Sequence, residues 1–109
     1  MDIGERDING TIVVCPRGRI DAQSSKDLEV RFKALTGSGL RHIVVNLQGC
    51  DYISSGGLRV LLSTLKELKR EEGTLRLCCL TPNVHKVFKL AGFTSIFSIH
   101  PSEEEALQA

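Results

Sequence analysis

The sequence predicts an α/β fold, with a mixed and mostly parallel five-stranded sheet and about four helices. Short β-branched runs alternate with segments in which apolar residues recur at helical spacing. The chain also opens with two strand-like runs joined by Asn9-Gly10, a strong hairpin signal. Strands joined through helices should pair in parallel, with the hairpin as an antiparallel edge. The expected order is β-β-α-β-α-β-α-β-α, within one domain over residues 1–109, because no repeat or linker interrupts the chain.

The composition excludes several classes of function. The 109 residues are 41% hydrophobic, which suffices for a core. Fourteen Lys and Arg against thirteen Asp and Glu give a net charge of +1. This charge gives no reason to expect binding to nucleic acid or to an anionic membrane. No apolar run approaches the ~18 residues of a membrane span, and residues 1–7 carry charges unlike a secretory leader. We therefore expect a cytoplasmic protein without direct membrane insertion.

The cysteines and loops indicate neither a metal site nor a cofactor. Cys15, Cys50, Cys78 and Cys79 form no Cys-x-x-Cys pair and have no histidine at ligand spacing. We expect them to be reduced and largely buried, in preference to a disulfide or metal site. No Gly-x-Gly-x-x-Gly follows a strand and no Gly-Lys-Ser/Thr loop is present, so no bound nucleotide is predicted.

The first part of the chain reads as an edge hairpin followed by a helix and a buried strand. Residues 3–8 and 11–15 are the predicted hairpin strands, and Pro16 indicates a kink or bulge at the sheet edge before residues 18–21. Residues 23–35 form a helix, with Ser24 or Ser25 as its cap. The stripe that predicts this helix is Leu28, Phe32 and Leu35, and the Gly37-Ser38-Gly39 turn ends it. Residues 42–47 are nearly all apolar, as in a strand covered on both faces.

The second part alternates helices and strands in the same way. Residues 49–57 are a predicted loop, and a leucine-rich helix follows from Leu58 to its stop at Gly73. Further strands are expected at residues 75–80 and 95–99. Between these strands, a third helix opens at Thr81-Pro82-Asn83, has the apolar stripe Val84, Val87, Phe88 and Ala91, and closes at Gly92. Ser102 caps a last short helix that begins with three glutamates.

Three polar segments should converge beyond the carboxyl ends of the strands, namely residues 21–25, 51–57 and 81–83. The middle segment places Ser54 and Ser55 before two glycines at the start of the leucine-rich helix, where backbone N–H groups favour negative charge. A phosphate attached there would change the surface without melting the helix. On spacing alone, however, the two serines also fit an ordinary N-cap, with Gly56-Gly57 easing the turn. Asp21 likewise fits a cap or turn, and Arg59 a solvated surface residue.

Several motifs together resemble a known family. Residues 43–47 and 51–62 strongly resemble the signature of STAS domains, in particular bacterial anti-sigma factor antagonists. Residues 18–21 are similar to the Gly-x-x-Asp that follows the second strand of the family. Residues 81–84 and 88–93 are similar to its later loop and third helix. The resemblance covers essentially the whole chain.

The resemblance implies a phosphoregulated partner switch. Members of the family bind a GHKL-type serine kinase that is also an anti-sigma factor, and this binding releases the sigma factor. The kinase uses ATP to phosphorylate a Ser or Thr at the start of the second helix, which breaks the complex, and a PP2C-type phosphatase restores it. The implied phosphoacceptor is Ser55, with Ser54 second. The implied partner-binding residues are Asp21, Ser54, Ser55, Gly56, Gly57, Leu58, Arg59 and Thr81.

One departure from the family pattern leaves two alternatives open. Well-known members read Asp-Ser-Ser/Thr-Gly-Leu, with the acceptor directly before Gly-Leu. Aligned on Gly57-Leu58, this chain has Gly56 at that position, and a glycine cannot accept phosphate. Either Ser55, or more weakly Ser54, takes over, or the chain is a STAS module that binds without phosphorylation, as a scaffold or transporter component. A serine hydrolase is not expected, because the Gly-x-Ser-x-Gly elbow is missing and no histidine lies in a loop facing the site.

Overall fold

The computed structural model describes all residues from Met1 to Ala109. Its strands are β1 (Asp2–Ile8), β2 (Thr11–Arg17), β3 (Arg19–Ile20), β4 (His42–Asn46), β5 (Tyr52–Ile53), β6 (Thr74–Cys78) and β7 (Ser98–His100). Its helices are α1 (Ser24–Gly37), α2 (Ser55–Arg70), α3 (Pro82–Leu90) and α4 (Glu103–Gln108). This confirms the predicted mixed α/β fold with four helices.

The main sheet has five strands in the order β1-β2-β4-β6-β7. Only β1 and β2 pair antiparallel, and the other neighbours pair in parallel. Asn9 and Gly10 join β1 to β2 with positive φ angles of 53° and 90°, which is the twist a two-residue hairpin needs. The Gly10 N–H donates to Asp7 Oδ1 at 3.0 Å and steadies this turn.

The hydrophobic core lies between one face of the sheet and the helices α1, α2 and α3. A cluster of nineteen buried residues joins Val14, Val45 and Leu77 of the central strands to these helices. A smaller cluster on the other face packs α4, through Ala106, against Val13 and Val44. The sheet is therefore covered on both sides, as the apolar run of residues 42–47 predicts.

Helix α2 is the element that carries the candidate site, and the core fixes its position firmly. Its buried residues are Gly57, Leu58, Val60, Leu61, Thr64, Leu65 and Leu68. Burial of a leucine side chain contributes about 1.5–3 kcal/mol, so this stripe is sufficient to dock the helix. Beyond the helix, Gly73 lies against the Arg41 carbonyl, where an added Cβ would come within 2.1 Å of the oxygen.

A second, two-stranded sheet corrects the prediction that residues 49–57 form a plain loop. Strand β5 pairs in parallel with β3, opposing Tyr52 to Arg19 and Ile53 to Ile20. The Ser54 N–H then donates to the Ile20 carbonyl at 2.8 Å. Helix α2 also begins at Ser55, three residues before the predicted start at Leu58. Two-residue strands are too short to carry a periodic pattern, which is why the sequence did not indicate them.

Other predicted boundaries differ in detail. Pro16 makes no bulge: β2 continues to Arg17, because β4 pairs only with residues 11–14 and leaves the Pro16 position without a partner on that side. Strand β6 starts at Thr74 and ends at Cys78, and β7 begins three residues later than predicted. Ala91 lies beyond the end of α3 and is exposed.

All four cysteines are free thiols. Cys50 and Cys78 are buried, whereas Cys15 and Cys79 are half-buried. Burial raises the pKa of the Cys50 thiol to about 11. The Cys50 Sγ donates to the Pro16 carbonyl at 3.1 Å, so this thiol ties the segment before β5 to β2. Nowhere in the chain do three His, Cys, Asp or Glu side chains group as metal ligands.

Candidate functional site

The two serines at the start of α2 have different environments. Ser54 is the N-cap of the helix, and its Oγ accepts a hydrogen bond from the Gly57 N–H at 3.2 Å. Ser55 is the first residue of the helix, is exposed, and its hydroxyl has no hydrogen bond within the chain. The N-cap interpretation is therefore confirmed for Ser54. The Ser55 hydroxyl is free to react or to meet a partner.

The two glycines that follow are also different from each other. Gly57 is buried, and a Cβ added there would lie 2.6 Å from Ile20 Cγ2 and 2.8 Å from Ile53 Cγ1. Gly57 therefore lets α2 approach the β3-β5 sheet closely. At Gly56 an added Cβ would lie 3.3 Å from Ser25 Oγ, on the neighbouring helix α1. Ser25 thus occupies the space next to the position where the resemblance puts the usual acceptor.

Asp21 organises the turn before α1. Its Oδ1 accepts hydrogen bonds from the Gln23 N–H at 3.1 Å and the Ser24 N–H at 2.9 Å. These bonds, with that from the Ser24 hydroxyl, hold the pKa of the Asp21 carboxyl below its ordinary value. Asp21 therefore does the capping that was predicted for Ser24 or Ser25, since Gln23 occupies the N-cap position and makes no side-chain cap bond. The cap-or-turn interpretation of Asp21 is confirmed.

The third segment lies against the second. Thr81 Oγ1 donates to the Cys50 carbonyl at 2.9 Å, just before β5. Asn83 Nδ2 lies 3.2 Å and 3.3 Å from the two carboxylate oxygens of Asp51. Together with the contact of Ser25 and Gly56, these bonds bring residues 21–25, 51–57 and 81–83 to one end of the sheet. Sequence reasoning predicted this convergence.

The predicted partner-binding residues divide into exposed and buried groups. Asp21, Ser55 and Arg59 are exposed, and Thr81 is half-buried. Leu58, at 7% exposure, and Gly57 are buried, so a partner could not touch either residue directly. Any effect of these two residues on a partner would come through the position of α2.

Three side chains beside the site make contacts that the sequence did not indicate. The Arg19 guanidinium lies 4.0 Å from the centre of the Tyr52 ring, a cation–π contact across the β3-β5 pair. Ser25 is buried beside Gly56, and its hydroxyl donates to the Ala22 carbonyl at 2.9 Å. The Arg19–Tyr52 contact and the Ser25–Gly56 contact both join segments distant in sequence, so they form only in the folded chain.

The site is open and carries charges of both signs. The first turn of α2 contains no acidic residue, whereas α1 has Asp27 and α4 has three glutamates at that place. An open cleft of about 340 Å³ runs between α1 and α2, with Lys26, Glu29, Gly56 and Arg59 among its lining residues. Neither Ser54 nor Ser55 is hydrogen-bonded to a side chain that could act as a general base. The Ser55 hydroxyl therefore lies free at the N-terminus of α2, one turn from the cationic side chain of Arg59.

Comparison with known proteins agrees with this architecture. The model of the STAS domain family matches residues 5–106 of the chain. The chain belongs to the STAS domain family. Within this STAS domain, the matched region includes all of the candidate site.

Relatives of this STAS domain are named for one role. BtrV of Bordetella bronchiseptica, which bears the name of a proposed anti-sigma factor antagonist, is 40% identical over 102 residues, covering 94% of this chain and 88% of BtrV. The anti-sigma F factor antagonist of Paenibacillus polymyxa is 27% identical over 99 residues, covering 90% of this chain and 85% of that protein.

Solved structures share the fold of this STAS domain. A proposed anti-sigma factor antagonist from Thermotoga maritima superposes with a TM-score of 0.93 at 18% identity, covering 97% of this chain and 92% of the other. The anti-sigma factor antagonist SpoIIAA in its unphosphorylated form gives 0.84 at 21% identity, covering 97% and 93%. The phosphorylated form of the Bacillus SpoIIAA gives 0.77 at 21% identity, covering 98% and 97%.

No helix of this STAS domain has the length and apolar character that crossing a membrane requires.

Proposed function

We propose that this STAS domain is an anti-sigma factor antagonist that works by partner switching. In this proposal it binds a GHKL-type serine kinase that is also an anti-sigma factor, and the sigma factor is released. Phosphorylation of the antagonist ends the complex, and a PP2C-type phosphatase restores the binding form. The names of the relatives support the general role, and the existence of SpoIIAA in unphosphorylated and phosphorylated forms supports the switch.

The observation that carries the proposal is the exposed, unbonded hydroxyl of Ser55 at the first position of α2. The neighbouring Ser54 hydroxyl is half-buried and engaged with the Gly57 N–H, so phosphorylating it would cost the helix its cap. Gly56 offers no hydroxyl at all. Ser55 is therefore the acceptor that the geometry favours, one residue before the position usual in the family.

The proposed reaction transfers the γ-phosphoryl group of ATP to Ser55 Oγ. The bond from the γ-phosphorus to the bridging oxygen breaks, ADP leaves, and the serine proton passes to a base of the kinase. The product carries a charge of about −1.5 to −2 at neutral pH. The phosphatase would hydrolyse the ester with water to regenerate serine and inorganic phosphate.

The phosphate would act on the interface and leave the fold intact. At the start of α2 the free N–H groups and the helix dipole favour an anion, so the helix should tolerate it. A partner surface arranged around a neutral hydroxyl would instead have to accept a desolvated dianion, which costs several kcal/mol unless it is compensated. The ionised carboxylate of Asp21, on the adjacent turn, would add to the negative charge of this surface.

Incubation with the cognate kinase and ATP, followed by mapping of phosphate by mass spectrometry, tests the proposal. We expect phosphate on Ser55 in the wild type and in Ser54→Ala, and none in Ser55→Ala. The double variant Ser55→Ala/Gly56→Ser is the matched control, because it restores a hydroxyl at the position usual in the family and reports whether the kinase is active. Wild-type protein that stays unmodified beside a modified control would contradict the role of Ser55.

Gly56 supports one alternative, a STAS module that binds constitutively as a scaffold or transporter component. Such a module would not need an acceptor at the usual position. A Ser55→Asp substitution distinguishes the two functions, with binding to the anti-sigma factor measured by calorimetry. Partner switching predicts that this substitution greatly weakens the complex. A complex that forms equally well with wild type and Ser55→Asp would favour the constitutive module.

A further inference from the structure

The outward face of α2 carries a row of cations that the fold itself does not explain. Arg59, Ser63, Lys66 and Arg70 are separated by four, three and four residues, so they lie along one narrow face of the helix. This face is opposite the buried leucines, and all four residues are exposed. We call these four residues the basic stripe. It begins one turn after Ser55 and extends about 16 Å from Arg59 to Arg70.

The cations of the basic stripe have no acidic partners within the chain. None of the ion pairs of the molecule includes Arg59, Lys66 or Arg70. The charged residues of α1 differ, since Arg31 pairs with Glu5 and Lys33 lies 3.9 Å from Glu29. Two of the three cations of α1 are therefore paired, with Lys26 the exception, whereas no cation of α2 is paired.

Helix stability does not account for the stripe either. Arg70, in the last turn, does stabilise the negative end of the helix dipole. Arg59 lies near the opposite, positive end, where an acidic residue would be stabilising and a cation is not. The first turn of α2 has no acidic residue to balance it. The helix dipole therefore gives no reason for a cation at Arg59, and neither Arg59 nor Lys66 makes an ion pair.

The surface along the stripe is grooved. The cleft between α1 and α2 includes Lys26, Arg59 and Ser63 in its lining, together with Glu29, which lies 3.9 Å from Lys33. A second shallow groove of about 290 Å³ is lined by Arg59, Ser63, Lys66 and Arg70, together with Leu62. The two grooves adjoin at Arg59 and Ser63, and the second continues along the stripe to Arg70. An extended segment of about five residues would span the 16 Å of the stripe.

We propose that the basic stripe is a docking surface for an acidic segment of the partner protein. This inference rests on the proposed function, since the partner is the anti-sigma factor kinase that binds the Ser55 site. Unpaired cations along a groove that starts one turn from that site favour carboxylates on the partner and steer its approach. A phosphate on Ser55 would lie one turn from Arg59, because helical side chains lean toward the N-terminus, and would compete with the partner's carboxylates for that guanidinium.

The test measures binding of the full chain to the purified cognate anti-sigma factor kinase by stopped-flow and calorimetry. The stripe variant is Arg59→Glu/Lys66→Glu/Arg70→Glu. The matched control is Lys69→Glu/Lys86→Glu/Lys89→Glu, which changes the net charge equally at three exposed lysines outside the stripe that likewise make no ion pair. We expect the stripe variant to associate about 10-fold to 100-fold more slowly than wild type, and the control to remain within a few-fold. Salt should slow wild-type association and have little effect on the stripe variant.

The outcomes separate this inference from the proposed function. Equal binding by wild type and the stripe variant, both folded by circular dichroism, would overturn the docking surface and leave the antagonist function standing. A wild type that does not bind the kinase would overturn both. Binding to duplex DNA or to phosphatidylserine vesicles that only the stripe variant loses would assign the stripe to an anionic polymer or membrane, and would likewise overturn an acidic protein partner.

Discussion

At the scale of single residues, Gly57 and Gly56 are neighbours in α2 with different packing. A Cβ at Gly57 would overlap two buried isoleucine side chains, whereas a Cβ at Gly56 would meet mainly the Ser25 hydroxyl at 3.3 Å. We expect Gly57→Ala to lower the free energy of unfolding by about 1–3 kcal/mol, as overpacked cores do. Gly56→Ala should change it by less than about 1 kcal/mol, because the gain in helix propensity offsets the tight contact.

Urea unfolding followed by circular dichroism checks this pair, and each glycine variant serves as the control for the other. If the Gly57→Ala variant were as stable as wild type, α2 would be able to move away from the β3-β5 sheet at little cost. The adjacent Gly-Gly dipeptide is visible in the sequence, but the different packing of its two members is not. Ile20, Ile53 and Ser25 approach these glycines only after three separate segments have folded together.

The Cys50 thiol provides a second prediction at this scale. Its pKa of about 11 means that only about a thousandth of it is thiolate at pH 8, and it is buried. We expect iodoacetamide at pH 8 to modify Cys50 far more slowly in the native protein than in urea. Peptide mapping by mass spectrometry measures the two rates. Equal rates would contradict the burial of the Cys50 thiol and its hydrogen bond to Pro16.

At the scale of elements, helices with clear apolar stripes were predicted well. The leucine stripe predicted α2, and strands β4, β6 and β7 were predicted to within a few residues, whereas β5 was predicted as a loop. The start of α2 was placed three residues late because Ser55, Gly56 and Gly57 contribute no apolar side chain to the stripe. Ser24 and Ser25 were wrongly assigned as caps, since the sequence cannot show that the Asp21 carboxylate already satisfies the N–H groups at the start of α1.

The start of α2 also separates a structural serine from an exposed one. Ser54→Ala removes the cap hydrogen bond to the Gly57 N–H, so we expect it to lower the free energy of unfolding by about 0.5–2 kcal/mol. Ser55→Ala removes a hydroxyl with no partner in the chain and should be within about 0.5 kcal/mol of wild type. Thermal and urea unfolding measure both. A larger loss for Ser55→Ala would give Ser55 a structural role and weaken its assignment as the acceptor.

At the scale of the whole molecule, the sequence predicted the sheet composition and the convergence of three loops, because both follow from chain topology. It could not predict how charge is distributed over the surface. The formal charge of +1 conceals an α1 whose charges are paired except for Lys26 and an α2 whose cations are all unpaired. Net charge therefore argued against nucleic acid, whereas the arrangement of charges points to an acidic protein partner.

The response of the whole fold to acid follows from two carboxylates whose pKa values are lowered in the native state. Hydrogen bonds from Ser24 lower the pKa of Asp21, and the hydrogen bond from Arg6 lowers that of Glu103, which joins α4 to β1. Because the folded pKa lies below the unfolded value of about 3.9 for Asp and about 4.3 for Glu, their contribution is complete above those values. It is lost as the pH falls through the folded pKa.

We therefore expect the melting temperature to fall below about pH 4, and to fall less steeply in Asp21→Asn/Glu103→Gln than in wild type. The amides keep oxygen acceptors for the same hydrogen bonds but do not titrate, so the variant isolates the effect of protonation. Calorimetric scans between pH 7 and the acid range measure both profiles, and the other carboxylates titrate alike in the two proteins. Parallel profiles would mean that these two carboxylates have the same pKa in the folded and unfolded chains. The turn before α1 and the docking of α4 would then not depend on their charge.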